Sequence, residues 1–309
     1  RVANTIVALF GPVEAAQEKD KSLPDHVFVN YLQAENILRM RHPRWTEELI
    51  PKYESIVQEA PEYANAWSGL ADVAYENGTS PVVNFENPEA ARHWRERSRQ
   101  SANRALQLDR DNKRALTVMA KLAVNDNLWL EADRLYRRAL DTHPGDAEVL
   151  AAYSQFLYTV GYATQALEVA ERAFRLDPFS PVSSRLVAIG LLASGDLGPA
   201  MEHIRLSGQL RGSRDTTMMA HLLFAQGQVR QAGQVLEEDG WSTVGWRERW
   251  LPHAVNALEG KESTEIVLQL MDEANQHGML EPVTAIILYS GLGANDEALG
   301  ALSKYGSIE

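Results

Sequence analysis

The chain has no cysteine among its 309 residues, which excludes disulfide staples, thiolate nucleophiles and zinc–thiolate sites. That absence fits cytoplasm and periplasm equally, so the compartment stays open. No run approaches the roughly 18 uncharged apolar residues that a membrane-spanning helix needs. Catalytic signatures are missing as well: there is no G-x-x-x-x-G-K-[ST] loop, no G-x-G-x-x-G turn, no H-E-x-x-H and no G-x-S-x-G. The eight histidines stand singly, with no pair at metal-ligand spacing on one helix face. We therefore expect no enzyme activity, no cofactor and no metal. Positive charge is in deficit, 30 Lys and Arg against 42 Asp and Glu, for a net charge of −12. A phosphate backbone would be repelled, so nucleic-acid binding by this segment is not expected. The basic runs "RHWRERSRQSANR" at 92–104 and "RLYRR" at 134–138 have no aromatic stacking pattern and read as solvated outer faces. "NGT" at Asn77 to Thr79 is a formal glycosylation acceptor that reads as a turn.

What is present is a period of 34 residues. Aligning Arg110, Pro144 and Pro178 superposes Ala120 on Ser154 and Ala188, Ala132 on Ala166 and Ala200, and Ala139 on Ala173 and Ser207. Small residues at fixed points let helix backbones approach closely, while bulky neighbours such as Leu116, Leu150 and Tyr136 fill the grooves beside them. Gly78, Asn127, Gly161 and Gly195 stand where a left-handed residue ends the first helix of each unit. Proline closes units because it lacks an amide donor and disfavours helical geometry in the residue before it.

The template extends outward. "VFVNYLQAENILRMR" and "RWTEELIPKYESIVQEAP" read as a helix pair, with Pro51 in the first turns of the second helix or kinking it. "NAWSGLADVAYENG" at 65–78 is a first helix, followed by an insertion at 79–93 and a long second helix starting at Pro88. The expected organisation is a helical lead-in at 1–24, then repeats at 25–61, 62–110, 111–144, 145–178, 179–212 and 213–239. Degenerate helical repeats and a cap fill 240–309, since terminal units face water on one side. An opening Arg1 in place of methionine leads us to expect a piece of a longer protein.

This pattern resembles the tetratricopeptide repeat family over roughly residues 25–240. The resemblance implies an all-α fold, an α-solenoid (right-handed superhelix) of helix-turn-helix units. It further implies a concave groove lined by the first helix of each unit and used to bind a protein or peptide, with self-association left open. The template places Asn65, Ser68, Asp72 and Tyr75 there, then Arg114, Thr117, Lys121 and Asn125, then Glu148, Gln155 and Tyr158, with Ile189 and Leu192 at an apolar end. In chaperone adaptors of this family a lysine and an asparagine hold a terminal carboxylate. Here the matching places carry Ser68 and Asp72, or Thr117 and Lys121, so that clamp is missing.

The order of "ANTIVALFGPVEAA", "VNYLQAENILRMR", "EAPEYANAWSGLADVAY" and "SANRALQLDRD" also resembles the C-terminal half of bacterial one-component winged-helix regulators and adenylate-cyclase-like proteins. That resemblance implies the sensor or assembly module of a larger bacterial regulatory protein acting in transcription regulation or signalling. The alternative is a small-molecule effector-binding domain of a regulator.

Overall fold

The structure is a computed structural model that describes residues 23–40, 45–80, 83, 87–212, 214–238, 253–254, 256–258, 260–276, 289 and 292–306. Every regular element among them is a helix: α1 (Asp25–Met40), α2 (Trp45–Glu59), α3 (Ala64–Thr79), α4 (Pro88–Leu108), α5 (Lys113–Asn125), α6 (Trp129–Thr142), α7 (Ala147–Thr159), α8 (Ala163–Leu176), α9 (Pro181–Ser194), α10 (Leu197–Arg211), α11 (Thr216–Ala225), α12 (Val229–Glu238), α13 (Thr264–Gln276) and α14 (Asn295–Gly306). The fold is an all-α solenoid of helix hairpins. Contacts divide it at Pro144/Gly145 into two units, each considered by itself. The expected lead-in at 1–24 falls almost entirely outside the described residues.

The same physics is written three times at a spacing of 34. Arg110, Pro144 and Pro178 each open a two-residue turn or follow the residue that ends a helix. The backbone amides of Asp109, His143 and Asp177 close the preceding helices onto the carbonyls of Ala105, Ala139 and Ala173. Asn112, Asp146 and Ser180 then cap the next helices, each accepting from the amide three residues on. Within each hairpin, Asn127 (φ 59°), Gly161 (φ 85°) and Gly195 (φ 84°) turn the chain in the left-handed region. That series continues through Gly227, Gly260 and Gly293, all at positive φ, 33 residues apart and each followed by a helix, α12, α13 and α14.

Gly78 departs from the series. It lies inside α3 and has no positive φ. A Cβ there would stand 2.8 Å from the amide nitrogen of Arg95 and 3.0 Å from the carbonyl oxygen of Ala91, so its role is the close approach of α3 and α4. The insertion accounts for the difference: α3 runs on to Thr79, whose hydroxyl bonds back to the Tyr75 carbonyl, and α4 starts at Pro88 under an Asn87 cap. Asn77 and Gly78 are therefore helical, and "NGT" is not a turn. Pro51 sits at the seventh position of α2, exposed, beyond the first turn.

In unit 1 each helix packs on the next, and α3 also packs on α5. Val27, Tyr31, Ala34, Leu49, Tyr53, Ile56, Ala66 and Leu70 form one core, and Ala71, Ala102, Ala105, Ala115, Val118 and Leu122 the next. In unit 2, α7 packs on α8 and α9, and the run continues through α12 in the same manner. Serines at the close contacts satisfy their hydroxyls across helices: Ser98 to the Ala71 carbonyl, Ser154 to that of Ala166, and Ser207 to that of Pro181. Each is as small as alanine and leaves no buried donor unpaired, which is why serine and alanine interchange in the repeat.

Candidate functional site

The face of unit 1 formed by its first helices α1, α3 and α5 carries an ion pair that joins the outer two. Arg114 on α5 donates both guanidinium nitrogens to Glu35 on α1, at 2.7 Å each. The paired side chains are only 21% and 14% exposed. Tyr53 of α2 donates to the same carboxylate at 2.8 Å, and Tyr31, one turn before Glu35, faces it as well. The Tyr53 ring reaches this point through a gap in α3: a Cβ on Gly69 would lie 2.4 Å from its Cε1. Burial pushes the Glu35 carboxyl up. The Arg114 charge and the hydrogen bonds from Arg114, Tyr53 and Tyr31 outweigh it and hold the group below the usual carboxylate range. Burial and the Glu35 charge push the phenols of Tyr31 and Tyr53 well up, so both remain donors.

Two turns beyond Arg114 on α5 lies a second cluster. Lys121 meets Asp72 at 3.1 Å and Glu76 at 3.5 Å, with its ammonium 5.2 Å from the centre of the Tyr75 ring. Tyr75 is also bonded to Asn125. At the start of the same helices Asn112 donates to Asn65 at 2.9 Å. Ser68 and Thr117 are buried, their hydroxyls returned to the carbonyls of Asn65 and Lys113. The structure thus brings Asn65, Ser68, Asp72, Tyr75, Arg114, Thr117, Lys121 and Asn125 to one face, where most hold neighbouring repeats together. Asn125 is exposed.

In unit 2, Gln155 is exposed, and the Tyr158 hydroxyl donates to the Leu186 carbonyl at 3.2 Å across Gly190. A Cβ on Gly190 would stand 2.1 Å from that hydroxyl, so the glycine makes room for the phenol. Glu148 is exposed, while Ile189 and Leu192 pack partly buried against the core.

Glu35 was missed in the sequence. Its signal was a carboxylate inside the apolar stripe Val27, Tyr31, Ala34 and Leu38, where a charge demands a partner. The basic run of α4 is also more than a solvated face. Arg97 pairs with Glu54, Arg99 with Asp126 at 2.6 Å, Arg104 with Glu62 at 2.9 Å, and Arg95 caps the Gly78 carbonyl at 2.8 Å. Arg138 likewise pairs with Asp111 at 3.0 Å. Among the described residues no group of His, Asp and Glu could hold a metal ion, and no helix is long and apolar enough to cross a membrane.

No protein-family model matches the chain. Solved tetratricopeptide-type helical repeat proteins share its fold. A human IFIT1 dimer with m7Gppp-AAAA is 14% identical over 89% of this chain and 71% of that one, with a TM-score of 0.58. The Cut9–Hcn1 hetero-tetramer of the APC/C is 12% identical over 93% of this chain and 58% of that one, with a TM-score of 0.59. The Vi polysaccharide export protein VexE of Salmonella typhi is 26% identical over 278 residues, covering 80% of this chain. The match spans 40% of that relative's length.

Proposed function

We propose that the chain is a non-catalytic protein-interaction scaffold, the assembly module of a bacterial polysaccharide export apparatus, which holds a peptide or protein segment along its first-helix face. The reading is supported most by the array of first helices, whose Asp72, Tyr75, Lys121 and Asn125 present polar and aromatic groups from successive repeats side by side. The export relative favours assembly over transcription regulation or signalling, and the regulator reading gains nothing from it. Nucleic acid is a poor partner because the arginines of α4 pair with Glu54, Glu62 and Asp126 of the chain itself. Substrate for chemistry has no place in this reading.

Photo-crosslinking in the bacterial host is the test, using p-benzoylphenylalanine at Asn125 or Gln155, with exposed Arg137 on α6 as the control. We expect one discrete adduct with a protein of the export apparatus from Asn125 and Gln155 and none from Arg137. Adducts from Arg137 alone, or none from the two first-helix positions, would overturn the reading.

A further inference from the structure

Unit 2 holds a crevice of about 290 Å³ where α10, α11 and α12 meet, lined by one stripe from each helix. Met201 and Arg205 come from α10, Met219 and Leu223 from α11, and Gln231, Gln234 and Val235 from α12. Residues three and four apart on a helix share a face, so each stripe points the same way. Four of the seven are apolar, Arg205 is the only charged one, and it is exposed. Neither Arg205 nor the two glutamines has a hydrogen-bond or ion-pair partner among the described residues. This contrasts with the first-helix face of unit 1, where Arg114 and Lys121 are already satisfied by acids of the chain.

From this lining we infer that the crevice is a docking site for a peptide segment of a partner protein, carrying an aliphatic anchor side chain next to a carboxylate. The volume lies just under the range of roughly 300–1,000 Å³ typical of small-molecule pockets, and it suits one or two side chains. Methionine walls adapt to an aliphatic anchor, and methionine and arginine are the residue types enriched at protein interfaces. Arg205 supplies a guanidinium fork matched to a carboxylate. Gln231 and Gln234, each with an amide donor and an acceptor, can pair with the peptide backbone on either side of the anchor. The site lies between the second helices α10 and α12 and one first helix, α11, and uses none of the first-helix residues of unit 1, so each can fail without the other.

The test uses the full chain labelled with 13C-methyl methionine, whose seven methyl groups report by NMR. The probe is a short amidated Gly/Ser peptide with a central Leu-Asp pair, compared with Leu-Lys and Ser-Asp versions. We expect the Met201 and Met219 signals to shift saturably with the Leu-Asp peptide, and those of buried Met271 to stay fixed. Arg205→Glu, at an exposed position, should weaken this binding at least about tenfold, and Val235→Phe should weaken it by narrowing the crevice. Three results would overturn the inference: Met201 and Met219 unmoved by millimolar Leu-Asp peptide, equal binding of the Leu-Lys peptide, or a response to decanoate without one to the peptide.

Discussion

Arg114→Ala is expected to destabilise unit 1 by about 3 kcal/mol, because it strands a carboxylate that is 14% exposed and pairs with no other cation among the described residues. The value sits at the low end for broken buried pairs, since water still touches both groups. Glu35→Gln should cost a similar amount, now by leaving the guanidinium unmatched. The double variant Glu35→Gln/Arg114→Met should be closer to the original chain than either single variant, because removing both charges removes the desolvation penalty with the attraction. Urea unfolding followed by circular dichroism measures all three. Additive losses in the double variant would refute the coupling.

The pair also sets an acid limit. The Glu35 carboxyl titrates below its unfolded value, so its contribution is fully present above the usual carboxylate range and is lost as pH falls through the lower folded value. In Glu35→Gln that component of acid destabilisation should vanish.

Gly69→Ala is expected to destabilise by about 1–3 kcal/mol, against the sign that helix propensity gives. In an exposed helix interior the same exchange stabilises by roughly 1 kcal/mol. Here the new Cβ meets the Tyr53 ring at 2.4 Å, and that ring is fully buried and tied to Glu35. The ring can yield only by giving up the hydrogen bond. Tyr53→Leu should therefore rescue Gly69→Ala in part, a result readable as a negative coupling in a double-mutant cycle. A Gly69→Ala chain as stable as the original would mean that Tyr53 does not pass beneath α3.

What the sequence made legible was local and periodic. The unit ends at Arg110, Pro144 and Pro178 and the left-handed Asn127, Gly161 and Gly195 each solve a backbone problem within a few residues, so they recur in register. Gly78 occupied the same register by coincidence, because the inserted segment lets α3 continue and turns the glycine into a packing contact. Gly260 and Gly293 keep the left-handed conformation after the small-residue landmarks fade, since that needs only one residue's backbone while packing landmarks need a matching neighbour. Arg114 and Lys121 meet carboxylates of α1 and α3. Their engagement with Glu35, Asp72 and Glu76 was hidden, because side-chain pairing across 79 residues depends on how repeats stack and leaves no periodic trace.

Hydrogen exchange measured by mass spectrometry on the whole chain tests the serial stacking of helix hairpins most directly. The account predicts slow exchange through α3 to α10, interrupted by fast-exchanging amides at Asp111, Gly145 and Phe179 and again in the first turns of α6, α8 and α10, in two interleaved series spaced 34 residues apart. Protection running unbroken across those turns, or breaks that ignore the period, would contradict it.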